Sequence, residues 1–370
     1  MSAHAEPPMA TESRVLRVLE VVEETGDARS VVFEVPGELA EEFAYTPGQF
    51  LTVAVPSDET GLAARCYSLS SAPHEGRHQI TVKRTADGYA SRWIVDNLRA
   101  GDTVRVLPPT GIFTPKSLEE DLLLFAGGSG ITPVLSIART ALERGERRVV
   151  LFYANRDEHS VNFGEALTRL STEHPERFLV VHWLESVQGL PSRAQLQAFA
   201  SYFSGYEAFV CGPAPFMASV TESLKALGFP RSRRHQEKFV SLGGNPFGDV
   251  EEIRAAAASL AEVVGPVAVE VDLDGQHDSF DDWQGDKALL DFLEEKGLDP
   301  PFSCRMGQCS ACACLVLEGE VRLVHNAVLR QEDLDAGIRL ACQSLPASEK
   351  LRISYNGQPD LVRSTASQRT

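Results

Sequence analysis

No apolar run in this chain comes near the ~18 residues a membrane helix needs; the longest, around Leu122–Ala126, is strand-sized. The first residues, Met1 to Arg14, lack a basic stretch followed by an apolar core, so no secretory signal is expected. Positive charge is scarce: 35 Lys and Arg stand against 52 Asp and Glu in 370 residues, a net charge of -17. That balance argues against nucleic acid or an anionic membrane as the main partner. There is no short-period repeat, and no low-complexity segment beyond an Ala-rich patch at Ala255–Ala258. At 43% hydrophobic and 24% charged, the composition is that of an ordinary globular protein. Cysteine is sparse and unevenly placed. Of seven, four lie between Cys304 and Cys314 and a fifth is Cys342, while Cys66 and Cys211 stand apart. A secreted disulfide framework would be denser and even in count, so a reduced, cytoplasmic chain with a metal site is expected.

At roughly 150 residues per domain, the length suggests two or three domains. Between Val15 and about Phe113 the apolar stretches are short and β-branched: Val15–Val22, Ser30–Val35, Gln49–Val55, Arg65–Leu69, Gln79–Arg84 and Thr103–Leu107. Turn residues separate them, which predicts an antiparallel β-barrel with one helix near Ser91–Leu98. From Leu122 the pattern alternates. Leu122–Ala126, Val149–Tyr153, Phe178–Trp183 and Glu207–Cys211 read as buried parallel strands. Pro133–Glu143, Phe163–Leu170, Arg193–Phe199 and Phe216–Leu227 read as crossover helices, with a last strand near His235–Val240. This is the pattern of a Rossmann-like α/β sheet. A turn-rich break from Ser241 and an acidic, Ala-rich stretch read as a linker. The remainder predicts a small α+β domain with strands at Val267–Val271, His277–Phe280, Ala313–Glu318 and Leu351–Ser354 and a helix at Ala288–Lys296. The expected domains are therefore 12–116, 117–240 and 266–358, with 241–265 as the joining segment.

Cys304, Cys309 and Cys312 follow the spacing C-x4-C-x2-C, and Cys342 supplies a fourth thiolate 30 positions later. This is the plant-type 2Fe–2S ferredoxin pattern. Gly307, Ser310 and Ala311 are small, so the backbone can wrap the sulfurs and turn N–H groups toward them. A structural zinc site usually pairs two C-x2–4-C hairpins, and Cys342 has no such partner. Cys314 is an alternative to Cys312, because two residues further along a strand its side chain faces the same way. Cys312 is preferred because it completes the spacing, leaving Cys314 as a buried thiol.

In the first domain, Arg65-Cys66-Tyr67-Ser68-Leu69 lies on the fourth strand and Thr81-Val82-Lys83-Arg84 on the fifth. Gly88-Tyr89-Ala90-Ser91 then opens a helix, whose free N–H groups and dipole suit a pyrophosphate. Taken together, these runs resemble the flavin-binding half of the ferredoxin–NAD(P)+ reductase family. The resemblance implies an antiparallel Greek-key β-barrel that holds FAD, or FMN in some members. It implies that Arg65 contacts the flavin diphosphate, that Cys66 and Tyr67 lie along the flavin with Tyr67 packed on the isoalloxazine, and that Ser68 lies near its N5. Val82, Lys83, Gly88, Tyr89, Ala90 and Ser91 would hold the ribityl and diphosphate portion.

The first strand of the α/β unit ends in Gly127-Gly128-Ser129-Gly130-Ile131-Thr132-Pro133. Gly128 and Gly130 let the backbone approach a phosphate, Thr132 can cap the helix, and Pro133 suits its first position. It is not the G-x-G-x-x-G fingerprint. The same family carries this turn, together with a later Cys211-Gly212-Pro213, which by resemblance borders the nicotinamide. Glu237 and Phe239 correspond to a Glu and an aromatic that face flavin and nicotinamide in relatives, although each can also be an ordinary strand residue. Cys211 can likewise be a plain core thiol. After the second strand, Asp157 can bond a ribose 2′-hydroxyl and Arg156 can accept a 2′-phosphate. With one basic group there, NADH is expected over NADPH.

In order, the chain resembles single-chain reductases that serve bacterial oxygenases, and within them those acting with steroid-ring enzymes. That likeness implies an enzyme: an oxidoreductase that takes electrons from NADH through FAD to a 2Fe–2S cluster and delivers them to a Rieske-type oxygenase. Ser68, Cys211 and Glu237 would flank the hydride transfer. A monomer is expected. The alternatives are a reductase for another oxygenase (an aromatic-ring hydroxylase or phenylacetyl-CoA epoxidase), a stand-alone NADH oxidase or diaphorase, and a zinc-bearing binding protein. From Gly265 to Ser303 there are eleven Asp and Glu and two Lys, so this stretch carries -9 of the charge. Most of it is expected to be a solvated face, and part can steer a basic partner.

Overall fold

The computed structural model describes residues 13–57, 61–85, 88–237, 266–273, 276–298, 300–302, 305, 307, 309–326 and 328–355. The expected linker 241–265, Phe239 and Cys304 lie outside the described residues.

Six strands open the chain: β1 (Arg14–Thr25), β2 (Ala28–Glu34), β3 (Phe50–Ser57), β4 (Gly61–Ser68), β5 (His78–Lys83) and β6 (Thr103–Thr110). Their order is β4-β3-β6-β1-β2-β5. The two edges of this sheet meet where Leu69 bridges Ile80 and where Ser70 N donates to Gln79 O at 2.7 Å. The sheet thus closes into a barrel, leaving these strands no open edge. Alternate residues point inward, so Leu16, Val18, Val31, Phe33, Leu51 and Val53 are all buried in one core. Helix α1 (Tyr89–Asn97) plugs the barrel with Ala90, Ile94 and Val95. Each fully buried aliphatic side chain there contributes about 1.5–3 kcal/mol.

The next region has a fully parallel sheet. Strands β7 (Leu122–Gly127), β8 (Val149–Asn155), β9 (Phe178–Leu184), β10 (Glu207–Cys211) and β11 (Arg234–Glu237) take the order β11-β10-β7-β8-β9. Leu122, Leu124 and Ala126 face α2 (Ile131–Arg144) and α3 (Gly164–Glu173). Leu123 and Phe125 face the opposite layer. Past β9 come the short α4 (Glu185–Gln188), then α5 (Arg193–Ala200) and α6 (Ala214–Ala226), which form that second layer. Burial on both faces explains the continuous apolar runs of these strands. Strand order reverses between β7 and β10, and the crevice above such a reversal is where open α/β sheets bind ligands. The barrel and this sheet belong to one compact unit.

The C-terminal unit is described by itself. Strands β12 (Val267–Leu273), β13 (Gln276–Trp283), β14 (Ala313–Glu318), β16 (Ile338–Leu340) and β18 (Lys350–Ser354) form a mixed sheet, β13-β12-β18-β14-β16. Strands β15 (Val321–Leu323) and β17 (Ser344–Pro346) pair separately. Helices α7 (Leu289–Glu295) and α8 (Gln331–Asp335) complete it. Among the described residues only β12 and β18 run parallel in this unit, and α7 buries Leu289, Leu290, Phe292 and Leu293 in the core beneath the sheet. This is the β-grasp arrangement expected of a ferredoxin. Three elements here, β15, β16 and β17, span three residues each, too short for either periodicity to appear in the sequence.

Candidate functional site

The fourth strand brings Arg65, Cys66, Tyr67 and Ser68 to the barrel wall. Tyr67 lies against the barrel core, and burial holds its hydroxyl far above the ordinary tyrosine range, with Arg65 pulling the other way. Cys66 Sγ is 3.6 Å from the Thr52 hydroxyl. Ser68 is buried, and its hydroxyl has no hydrogen-bond partner among the described residues. An unpaired buried hydroxyl costs about 1–3 kcal/mol unless a ligand satisfies it, so this position fits a bound polar ring. Val82 puts its side chain into the barrel core, which leaves only its backbone to offer a cofactor.

Lys83 ends β5 with Nζ 3.6 Å from Asp27. Beyond it, α1 begins without a side-chain cap, so its first amides are open to an anion. Gly88 is required there: a Cβ would collide with the Thr85 hydroxyl and lie 2.5 Å from Ser91 Oγ. Ser91 secures this turn, donating to Gly88 O at 3.1 Å and sharing a 2.9 Å contact with Thr85 Oγ1. Its neighbour Tyr89 is exposed, while Ala90 is core.

The glycine-rich turn joins β7 to α2. Gly128 has φ +51° with open space where a side chain would stand, the kind of backbone that can touch a phosphate. Gly130 is glycine for another reason: any Cβ would run into the Cys211 carbonyl. Gly212 returns the contact, its Cβ position lying 2.9 Å from Gly127 N. Thr132 does not cap α2, contrary to the sequence-based expectation. The helix starts at Ile131 with Gly130 as its cap, and the Thr132 hydroxyl donates to Ser129 O at 3.1 Å. Pro133 accordingly occupies the third helical position, and Pro213 caps α6.

Cys211 and Glu237 pair in register at the ends of β10 and β11. Both are buried. Desolvation pushes the Glu237 carboxyl up to about 8. Burial, and then the neighbouring Glu237, hold the Cys211 thiol well above its usual range, while a bond from the Gly212 backbone opposes them. Ser68 stands on the barrel side of the same compact unit. Three residues after it, Ser71 O accepts from Ser136 Oγ of α2 at 2.6 Å, and Glu75 pairs with Arg139 at 3.2 Å. The helix that grows from the glycine turn is thereby fastened to the segment that follows Ser68.

At the end of β8 the two ribose candidates are already engaged. Asp157 accepts from Ser160 N at 2.9 Å and Ser160 Oγ at 2.8 Å, which lowers its pKa. Arg156 pairs with Asp27 of the barrel at 3.3 Å.

In the C-terminal unit Cys309, Cys312 and Cys342 are buried. Cys312 Sγ and Cys342 Sγ lie 3.2 Å apart, and Ala341 N donates to Cys312 O at 3.1 Å. That separation is far beyond a disulfide, and two unbridged thiols this close suit ligands of one cluster. The sulfur beside Cys342 is that of Cys312; Cys314 sits on β14 opposite Arg339. Arg305, Gly307 and Ser310 adopt φ of +56°, +69° and +57°, the left-handed kinks a loop needs to wrap a cluster. Gly307 has no room for a side chain, its Cβ position being 2.9 Å from His325 O.

Two supports leave no trace in the sequence pattern. Gln343, buried beside Cys342, donates to Arg305 O at 2.7 Å, and Arg305 reaches back to Asp291 at 2.5 Å and Glu294 at 2.6 Å on α7. Neither has a spacing signature, because both act across long sequence separations.

Three family models match consecutive parts of the chain: an oxidoreductase FAD-binding domain over residues 16–114, an oxidoreductase NAD-binding domain over 124–222, and a 2Fe-2S iron-sulfur cluster binding domain over 271–347. Among solved structures, phthalate dioxygenase reductase, described as a modular structure for electron transfer from pyridine nucleotides to [2Fe-2S], aligns with a TM-score of 0.53 at 26% identity, covering 92% of this chain and 98% of that one. The ferredoxin reductase component of 3-ketosteroid-9-alpha-monooxygenase is 51% identical in Rhodococcus rhodochrous, over 95% of this chain and 99% of that one. Its counterpart in Mycolicibacterium smegmatis is 50% identical over 94% and 99%. Shared along nearly its whole length and through all three domains, this likeness makes the chain a member of the 3-ketosteroid-9-alpha-monooxygenase ferredoxin reductase component family.

Proposed function

We propose that this chain oxidises NADH and passes the electrons to a terminal, Rieske-type oxygenase that hydroxylates 3-ketosteroids at the 9α position in steroid catabolism. The observation that carries the reading is the buried Cys211–Glu237 pair beside a glycine turn, in a chain 51% identical to such a component over 95% of its length. FAD held by the barrel residues would supply the conversion from a two-electron hydride to single electrons, and a 2Fe–2S cluster held by the cysteines would accept them singly.

The chain's own residues bind, orient and exclude water. Gly128 and Gly130 bring backbone to the dinucleotide phosphates, with Thr132 holding the turn in shape. Cys211, Gly212 and Pro213 wall the nicotinamide. With its carboxyl raised to about 8, Glu237 stays largely protonated at neutral pH, so no bare negative charge opposes the arriving hydride. The Ser68 hydroxyl is available to the flavin ring. Tyr67, Arg65, Lys83 and the open end of α1 (Gly88 to Ser91) serve its ring, ribityl chain and diphosphate, with Cys66 and the Val82 backbone alongside. Cys304, Cys309, Cys312 and Cys342 would hold the cluster, and Phe239 would lie beside the nicotinamide.

We place the domain limits at 12–116, 117–240 and 266–358. We also place the chain in the cytoplasm, a reading supported by its clustered thiols, and take it as a monomer, which sedimentation of the purified protein tests. No helix among the described residues is long and apolar enough to cross a membrane.

Reconstitution with candidate oxygenases tests the function. Formation of 9α-hydroxysteroid matched to NADH consumed is the expected result. Product only with an aromatic-ring hydroxylase or an acyl-CoA epoxidase would reassign the partner. NADH consumption that ends in peroxide with every oxygenase would overturn the reading.

A further inference from the structure

Asp27 lies in the turn between β1 and β2, and its carboxylate faces cations from two parts of the fold. Lys83 Nζ, at the end of β5, is 3.6 Å from Oδ2. Arg156 Nη2, just past β8, is 3.3 Å from the same oxygen. The other oxygen accepts from the Thr25 hydroxyl at 2.9 Å. That hydroxyl also lies 3.2 Å from Oδ1 of buried Asn162, so the barrel turn touches the parallel-sheet region twice.

Arg156 stands where nucleotide phosphates pass in an open α/β sheet, outside the carboxyl end of a strand. Its main chain is fixed, with O accepting from Ser186 N at 2.8 Å. Its side chain is 68% exposed and able to swing, held otherwise, among the described residues, by a long 3.4 Å bond to Ser160 Oγ. A guanidinium prefers a phosphate, which it can grip with two parallel hydrogen bonds, over a single carboxylate oxygen at 3.3 Å. Asp27 would not be stranded by the exchange, because Lys83 and Thr25 remain against it.

We propose that Asp27 is a displaceable counter-ion: it occupies Arg156 until a phosphate group of the incoming dinucleotide takes the guanidinium away. This rests on the dinucleotide reading above. Its consequence is selectivity. Ligands with few other contacts must compete with Asp27 for Arg156, whereas a whole dinucleotide has contacts to spare.

The test is calorimetric titration of the full-length, FAD-loaded protein with ADP and, separately, with 2′-AMP. Asp27→Asn should tighten binding about two- to fivefold, the range of an exposed ion pair. The gain should vanish when Arg156→Ala is already present, and Asp27→Glu should restore the original affinity. A gain with ADP identifies the diphosphate as the competing group, and one confined to 2′-AMP identifies a 2′-phosphate. Unchanged affinity in Asp27→Asn, or an equal gain in the Arg156→Ala background, would overturn the proposal. If Asp27→Asn loses FAD, Arg156→Ala alone decides: it must weaken binding of one of the two probes, and no change with either counts against the idea. Flavin reduction by NADH is followed on the same samples, so failure of the functional reading appears there and not in the nucleotide comparison.

Discussion

Cys211 and Glu237 lie opposite each other at the ends of two parallel strands, a thiol and a carboxyl both withdrawn from water. Burial dominates the shift of each, and the next influence on the thiol is Glu237 itself. The pair is thus kept neutral by desolvation, in contrast to the half-buried Asp157, which a hydrogen-bonding Ser160 keeps ionised.

Glu237 gives the protein a pH signature. Its folded-state pKa of about 8 exceeds the unfolded value of 4.5, so the folded chain binds the extra proton between them. Stability should therefore fall as pH rises from about 5 to 8, by several kcal/mol in the limit of full burial. Urea unfolding across that range should show the slope in the wild type and its loss in Glu237→Gln. Flavin reduction by NADH should show an inflection near pH 8 that the variant lacks.

Gly130→Ala would force a methyl into the Cys211 carbonyl. Overpacking of this kind costs about 1–3 kcal/mol. The strain falls on the turn that meets the dinucleotide, so KM for NADH should rise about tenfold. Reduction of the flavin by dithionite should be unchanged, which stopped-flow absorbance would check.

Cys312→Ser should abolish the cluster, whereas Cys314→Ser should keep it, because Cys312 Sγ is the one at 3.2 Å from Cys342 Sγ. Iron and acid-labile sulfide analysis reads this directly. In Cys312→Ser, NADH–ferricyanide activity through the flavin should persist, while delivery to an oxygenase should fall at least a hundredfold.

Gln343→Ala removes the donor that holds Arg305 O at 2.7 Å. An abandoned carbonyl at a buried site costs about 1–3 kcal/mol. The cluster loop should loosen, and visible-absorbance bleaching in chelator should speed up about tenfold relative to the wild type, with the flavin spectrum unaltered.

The acidic stretch before the cysteine loop predicts a salt effect. If part of it steers a basic oxygenase, coupled turnover should decline as ionic strength rises from roughly 0.05 to 0.5 M, on the order of tenfold, while NADH–ferricyanide activity stays nearly flat. Equal behaviour of both assays would leave these carboxylates as a solvated face.

Much of this architecture is legible because it is local. The C-x4-C-x2-C run marks a cluster by spacing alone, and the turn-punctuated β-branched stretches mark six strands. Glu207–Cys211 and Ala313–Glu318 match the observed strands to the residue, since burial on a strand writes itself into consecutive side chains. Elements of only three residues, such as Val321–Leu323 and Ile338–Leu340, are too short to show a period. The role of Thr132 escapes the sequence for a related reason. Helix caps depend on where the last strand residue releases the chain, and here the glycines start α2 two residues earlier.

The order of side chains determined which chemistry this protein can hold: four spaced thiolates, a flavin-type strand and a glycine turn, each requiring only near neighbours. Tertiary structure decided the states of those groups. Glu237 becomes a neutral acid only because β10 and β11 carry it out of water beside Cys211, and Arg156 is occupied only because a barrel turn 129 positions earlier in the chain lies against it. Desolvation and ion pairing depend on distance in space, falling off within several ångströms, and separation along the chain does not encode that distance.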